Sequence, residues 1–526
     1  MISSVQQTPG YRLAANGLPS FLLLLLMLLP WLSPYTAGPT PNAWPWLLSA
    51  VCAVLLWLFL PRLDARLIAS GWVLAACLSA LVGMVQYFGL APDFNPWVSQ
   101  TQAGEAFGNL RQRNQLATLM SIGLVALIAL LALSPGGAGG DGRRTSLPWW
   151  AFPAALLLAL GNAASSSRTG LLQWLLIPAL TAWWVLPTRR RQLMFALLAL
   201  LAYAVAVLTL PWLLELLTGL HIGGLFGRLA EAPTCESRKI LWANVLTLIA
   251  QKPWLGWGWG ELEYAHFITL YTGPRFCDIL DNAHNLPLHL AVEMGLPTAV
   301  AICATLGWLA WRARPWAETD PARQMAWGVL AVILLHSLLE YPLWYGPFQI
   351  AAGLSLLLLW RGRAPAGAFL PNNESNTPFV QVVRLLFAMF IIAGLVMVGV
   401  GYYRVSQIYL PPEERGAAYR DDTLAKIRDS TLFAHQAEFA ELSVTALTPQ
   451  TAATVHALAL ELLHYSPEPR VVEKLIESAV MLGRDDEALQ YLARFRAAFP
   501  KEHARWVQEN AAAEHLPTYE LPGISR

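Results

Sequence analysis

Apolar runs long enough to cross a bilayer recur through roughly the first four hundred residues, and no other feature limits the fold so strongly. Inside hydrocarbon a backbone N–H or C=O finds no water, so a spanning segment must satisfy its own hydrogen bonds, and repeated single crossings of this length are helices. At about 20 residues per crossing, about eleven spans are expected. They lie near residues 20–36, 44–60, 67–88, 115–133, 148–166, 170–186, 193–216, 284–311, 325–343, 346–360 and 384–403. Charged residues are only 13% of the chain, about half of what a water-soluble domain carries. A net charge of +1 gives a nucleic-acid partner no electrostatic support. The run from Phe21 is read as a retained first span rather than a cleaved signal, because Trp44 starts another apolar run at once. The expected class is an all-α polytopic membrane protein.

Basic residues mark alternate loops: Arg12, Arg62 and Arg66, Arg143 and Arg144, Arg189 to Arg191, Arg312, Arg314 and Arg323, then Arg361 and Arg363. The positive-inside rule puts these, and the N-terminus, in the cytoplasm. The 89–114 loop, the long 217–283 loop and everything after Arg404 then share the opposite face. We therefore expect a transmembrane domain over residues 1–403 and a helical domain over 404–526. Within the latter, Val471 to Phe499 reads as two helices around Gly483. The spacing of Leu482, Gly483, Ala488, Leu492, Phe495 and Pro500 suits one tetratricopeptide-like hairpin. Gly136 to Gly142 and Ala364 to Thr377 read as flexible cytoplasmic connections.

Candidate chemistry gathers on the outer face. His284 stands where the long polar loop meets an apolar helix, and an imidazole there is poised to take a proton near neutral pH. Asp281, Asn282 and Asn285 surround it, so capping of the next helix is the competing role. Arg168 follows Ser165, Ser166 and Ser167, and Arg238 opens an amphipathic segment, with Arg228 its rival in the loop. Guanidinium forks bind phosphate oxygens bidentately, whereas snorkelling and surface exposure are the plainer alternatives. Asp278 and Asp281 precede His284 without an Asp-x-Asp pair, so no metal or other cofactor is expected, and Asp281 is read as orienting or charging the imidazole. His289 with Glu293, and His336 with Glu340, have the i,i+4 spacing of structural pairs. The aromatic group Trp254, Trp257, Trp259, Tyr264, Phe267 and Tyr271 suits interfacial anchoring better than sugar stacking. Cys235 and Cys277 share the long loop, where an oxidising compartment permits a bridge.

His284, Asn285, Gly295 and Thr298 stand in the register of a motif that resembles the bacterial O-antigen ligases and related O-oligosaccharyltransferases. Gly108, Asn109 and Leu110 with Gln112, Asn114, Leu116 and Ala117 resemble a motif of the pilin-type protein glycosylation ligases, and Glu340 to Tyr345 is similar to a second one. Ser165 to Gly170, and Arg238, Trp242, Pro253, Gly256 and Gly258, are similar to the wider ligase and polymerase superfamily. Arg111 and Arg113 beside Gln112 depart from the pattern. The resemblance implies a GT-C-like helical enzyme of the bacterial inner membrane. It would move an oligosaccharide from an undecaprenyl-diphosphate carrier to serine or threonine hydroxyls of pilins and other periplasmic proteins. His284 would be the general base. Arg168, Arg238, Asp281, Asn285, Asn109, Gln112, Asn114, Glu340 and Tyr341 would be the substrate-binding set. Transfer to a lipid A core, glycan polymerisation and, from another class, transport are the alternatives. No convincing internal repeat supports transport.

The basic-loop alternation yields a direct expectation. A reporter fused after Arg404 should be active in the periplasm and one fused near Arg190 in the cytoplasm. The reverse result at Arg404 would remove one span from the count.

Overall fold

The computed structural model describes residues 10–133, 147–184, 190–230, 235–361 and 378–514, and every regular element among them is helical. The two expected flexible connections, with Arg143, Arg144, Arg189 and Arg363, lie outside the described residues. In chain order the helices are α1 (Gly10–Leu32), α2 (Trp44–Leu58), α3 (Ala65–Tyr87), α4 (Arg113–Leu133), α5 (Ala151–Ala164), α6 (Arg168–Trp184), α7 (Arg190–Thr218) and α8 (Gly224–Ala230). Then come α9 (Arg238–Gln251), α10 (Leu262–Ile268), α11 (Leu286–Met294), α12 (Leu296–Ala313), α13 (Pro321–Ser337), α14 (Gly346–Arg361) and α15 (Pro378–Ser406). The chain closes with α16 (Thr423–Ile427), α17 (Ala434–Val444), α18 (Ala452–Tyr465), α19 (Pro469–Met481), α20 (Asp485–Ala498) and α21 (Pro500–Glu514).

The chain is an all-α membrane protein. Ala65–Tyr87, Arg113–Leu133, Arg190–Thr218, Leu296–Ala317 and Pro378–Tyr409 are long and apolar enough to cross a bilayer, and Pro19–Leu32, Trp44–Leu58 and Ala151–Ala164 are shorter apolar helices. One expected span is corrected. Residues 284–311 are not one helix, because Gly295 breaks them into α11 and α12 and only the second is a candidate crossing.

Two compact units emerge. The first comprises residues 1–232 and 306–402. Its centre is α4, packed between α3, α5, α6 and α13. Small residues set the spacing, as expected where apolar burial from lipid supplies little drive and close van der Waals contact must. A Cβ on Gly123 would stand 2.5 Å from the Ala76 methyl, and one on Gly161 would stand 2.8 Å from that of Ala80. Trp72, Trp174, Phe195 and Phe348 fill the larger spaces. α15 lies against α2 through Trp44 on Tyr402 and Trp57 on Phe387, and most of its apolar surface is exposed, as a lipid-facing helix requires.

The second unit comprises residues 233–305 and 403–526, so the helix-bearing part of the long loop packs with the C-terminal helices. Leu241, Val245 and Leu248 of α9 bury against Ala265, Phe276, Ala283 and Val292. α10 sends Phe267 into a core made by Val455, Leu462, Val471, Leu475 and Phe495 of the C-terminal helices. Arg494 adds a hydrogen bond to the Ile268 carbonyl at 3.0 Å, and His464 Nδ1 lies 2.7 Å from Glu261 Oε2. The two helices expected around Gly483 are α19 and α20, and Gly483 itself turns at φ +70°.

Within this unit the break at Gly295 is held by three backbone hydrogen bonds. Trp257 N donates to Val292 O (2.8 Å), Gly258 N to Glu293 O (3.0 Å) and Leu296 N to Pro253 O (2.8 Å). The chains approach so closely that a Cβ on Gly295 would stand 2.1 Å from Trp254 O, and one on Gly256 would stand 2.3 Å from Glu293 O. Gly295 also sits at φ +82°. Gly295→Ala should therefore destabilise the purified protein by about 2–4 kcal/mol, read as a lowered thermal midpoint. Gly353→Ala, where an added Cβ meets nothing within 4 Å, is the neutral control. Equal midpoints for the two would show that the crossing does not bear on stability.

Candidate functional site

His284 occupies a backbone conformation its residue type seldom adopts, at φ +49°. A non-glycine residue there carries strain that its surroundings must over-determine. They do so on both sides. Asn282 Oδ1 accepts the His284 N–H at 2.8 Å, and Trp242 Nε1 donates to Ala283 O at 3.1 Å. Asn285 Oδ1 accepts the Leu288 N–H at 3.1 Å, with Pro287 in the first turn of α11. The N-cap of α11 is thus Asn285, one of the residues that surround His284. The His284 side chain is part-exposed.

The neighbourhood is shaped by buried titratable groups. His266 bonds Tyr271 Oη (2.8 Å) and Phe276 O (3.1 Å); burial, aided by the Arg275 charge, holds it down at about 3, so it remains neutral. Glu263 is pushed up to about 7 by burial and by the Asp281 and Glu468 carboxylates. His289 Nε2 and Glu293 Oε2 of α11 lie 3.6 Å apart, the pairing expected from their spacing. Burial drives His289 down to about 4, with His284 adding to it, and lifts Glu293 to about 7 against the Gly260 N–H bond. Both shifts disfavour charge, so near pH 7 a neutral imidazole faces a carboxyl that is close to its midpoint. Arg238 takes the first position of α9, after a Ser237 cap, where the helix dipole attracts anions and offers a cation nothing.

Arg168, Asn109, Gln112, Asn114, Glu340 and Tyr341 belong to the first unit. Asn109, expected to meet substrate, bonds the backbone through both ends of its amide. Its Nδ2 donates to Leu32 O (2.6 Å) and Trp97 O (2.9 Å), and its Oδ1 accepts from Ser99 N (3.0 Å). Gln86 does the same for the Gly108 turn, accepting from the Phe107 and Gly108 N–H groups and donating to Ser99 and Gly108 carbonyls. Arg113, one of the departures from the family pattern, is paired with Glu105, and Arg111 sits at φ +59°. Gln112 keeps a buried Oε1 with no hydrogen-bond partner among the described residues. Tyr341 stacks on Tyr345 and lies tilted against Trp344.

Three motifs that were read separately meet at Asn114. Its Nδ2 donates to Glu340 Oε1 at 3.2 Å, and Ser167 Oγ donates to its Oδ1 at 2.7 Å. His336 turns its Nδ1 to Thr118 Oγ1 (2.9 Å), and Gln173 completes that strip by donating to Thr118 Oγ1 (2.8 Å) and Val332 O (3.0 Å). Arg168 donates to the Arg228 carbonyl, while Arg228 Nη1 donates to the Ser166 carbonyl at 3.2 Å. Gln86, Thr118 and Gln173 were not singled out from the sequence, since isolated polar residues give no periodic signal. A sharper trace is conformational. Of the five non-glycine residues at positive φ among those described, Arg111, Ser166 and His284 lie in or beside the motifs.

Comparison with known proteins now bears on the same segments. Residues 153–303, which hold Arg168, Arg238 and His284, match the O-Antigen ligase family. Residues 106–131, with Asn109, Gln112 and Asn114, match the Protein glycosylation ligase family. Residues 324–513, from α13 into α21, match the family described as virulence factor membrane-bound polymerase, C-terminal. A general O-oligosaccharyltransferase of Acinetobacter baylyi (strain ATCC 33305 / BD413 / ADP1) is 24% identical over 341 residues, covering 63% of this chain and 56% of that protein. The chain therefore spans little more than half the length of this relative. The resemblance to O-antigen ligases and protein glycosylation ligases, first read from the motifs, is shown on these segments.

Cys235 and Cys277 are joined by a disulfide, which closes the loop seven residues before His284, and Cys52, Cys77 and Cys303 are free thiols. Denatured, unreduced protein should label at three cysteines and reduced protein at all five. Five labels before reduction would exclude the bridge.

Proposed function

We propose that the protein is a membrane O-oligosaccharyltransferase that transfers a glycan from undecaprenyl diphosphate to serine or threonine hydroxyls of periplasmic proteins such as pilins. The observation that carries this reading is His284, held at φ +49° between two asparagine bonds inside the segment that matches the O-antigen ligases. Its imidazole takes the acceptor hydroxyl proton as the oxygen attacks the anomeric carbon. The bond from that carbon to the diphosphate breaks, and the diphosphate leaves with the electron pair. Phosphate oxygens are the ligands we assign to the Arg168 and Arg238 forks. A diphosphate is already stable as an anion, so this route calls for neither an acid catalyst nor a metal.

In the same reading the enzyme spans the bacterial inner membrane about eleven times, with a cytoplasmic N-terminus and with His284 and the C-terminal helices in the periplasm. Those helices, tetratricopeptide-like in pattern, take part in presenting the acceptor; their core already encloses Phe267 of the loop that leads to His284. The polymerase-type match over residues 324–513 favours a second reading, in which the acceptor hydroxyl is on another glycan and the displacement is unchanged.

The test is expression of the chain with a lipid-linked glycan source, a candidate pilin and lipid A core, followed by intact-mass measurement of the pilin. A glycan-sized increment is expected. His284→Ala should lower transfer by roughly 10²–10⁴ without loss of membrane insertion. Arg168→Lys and Arg238→Lys should be impaired, since an ammonium lacks the bidentate fork. Undiminished transfer by His284→Ala ends the base assignment, and modification of lipid A core alone ends the protein-acceptor assignment.

A further inference from the structure

We infer that Glu340, Asn114 and Ser167 form a one-directional hydrogen-bond clamp whose task is to position Arg168. The inference rests on the proposed donor class for what Arg168 binds, and on geometry within the first unit for how it is held.

Ser167 is the residue before α6. Its Oγ accepts the Gly170 N–H at 3.0 Å and donates to Asn114 Oδ1 at 2.7 Å. The Asn114 amide then has its Nδ2 toward Glu340 Oε1, at 3.2 Å. Each group thus fixes the polarity of the next: N–H of Gly170 to hydroxyl, hydroxyl to amide oxygen, amide N–H to carboxylate. Ser167 is fully buried and Glu340 is 5% exposed. A carboxylate so enclosed is costly to keep, and packing alone would be served by an apolar residue.

What the clamp holds is the turn ahead of Arg168. Ser166 lies at φ +50°, Ser165 Oγ donates to Asn162 O (2.6 Å) and accepts from Ser167 N (3.3 Å), and the start of α6 presses so close that a Cβ on Gly170 would stand 2.3 Å from Asn162 Oδ1. On its other side the turn is bound by Arg228 Nη1 to the Ser166 carbonyl, and Arg168 returns a bond to the Arg228 carbonyl. Arg168 therefore points where two independent braces put it. Glu340 and Asn114 are positioning residues, acting through Ser167, and not groups that touch substrate.

The experiment uses the full chain purified in detergent, with undecaprenyl diphosphate as the binding probe and lipid-linked glycan for transfer. Asn114→Ala and Glu340→Ala should each weaken binding of the probe, and raise KM for the donor, by roughly tenfold with kcat little changed. The double variant should be no worse than the weaker single one, as two members of one chain require. Glu340→Gln keeps an acceptor oxygen and should recover most of the loss, while Asn114→Asp sets carboxylate against carboxylate and should be worse than Asn114→Ala. Additive losses, a Glu340→Gln variant as impaired as Glu340→Ala, or a parent that does not bind the diphosphate lipid would each overturn the clamp. A parent that binds the probe, responds as described and transfers no glycan would leave the clamp standing and end the proposed function.

Discussion

Backbone amides that cannot reach water govern this protein more than any other interaction. In the spanning helices the chain satisfies itself, but the family-like motifs lie where helices begin or end, and there the orphaned groups need partners. The partners are side-chain amides. Gln86 and Asn109 hold the loop before α4, Asn244 accepts the Phe276 N–H and donates to Pro274 O in the long loop, and Asn282 and Asn285 bracket His284. An amide suits this work because it offers a donor and an acceptor on one rigid plane.

That chemistry changes how motif residues are read. Asn109 and Asn285 of the family-like motifs bond the backbone, and Gly256 and Gly295 permit a close approach of two chain segments. Positive φ at Arg111, Ser166 and His284 marks the same stretches independently.

The buried polar strip of Thr118, Gln173 and His336 belongs to this pattern too. It lies among α4, α6 and α13, where each group costs free energy unless bonded, and it links the helices that carry Asn114, Ser167 and Glu340. The first unit is therefore tied together by direction-specific bonds as well as by close contact of small residues. Such bonds hold a turn to a tolerance that lipid-facing packing cannot.

The helical class, the positions of the apolar segments and the hairpin around Gly483 were legible in the chain itself, because hydrophobic periodicity and length act locally and survive in one dimension. The segments that match the ligase families were legible as well, through spacing within motifs. The break at Gly295 was not. Residues 284–311 read as a continuous apolar run, and only the backbone of Pro253–Gly258, some forty residues away in sequence, supplies the contact that splits it. Nor did spacing reveal that Glu340 and His336, read as i,i+4 mates, bond to Asn114 and Thr118 on α4. Helical spacing states which residues share a face. Which neighbour that face meets, and so which polar group is satisfied by which, depends on contacts between segments far apart in the chain, and only the tertiary structure decides it.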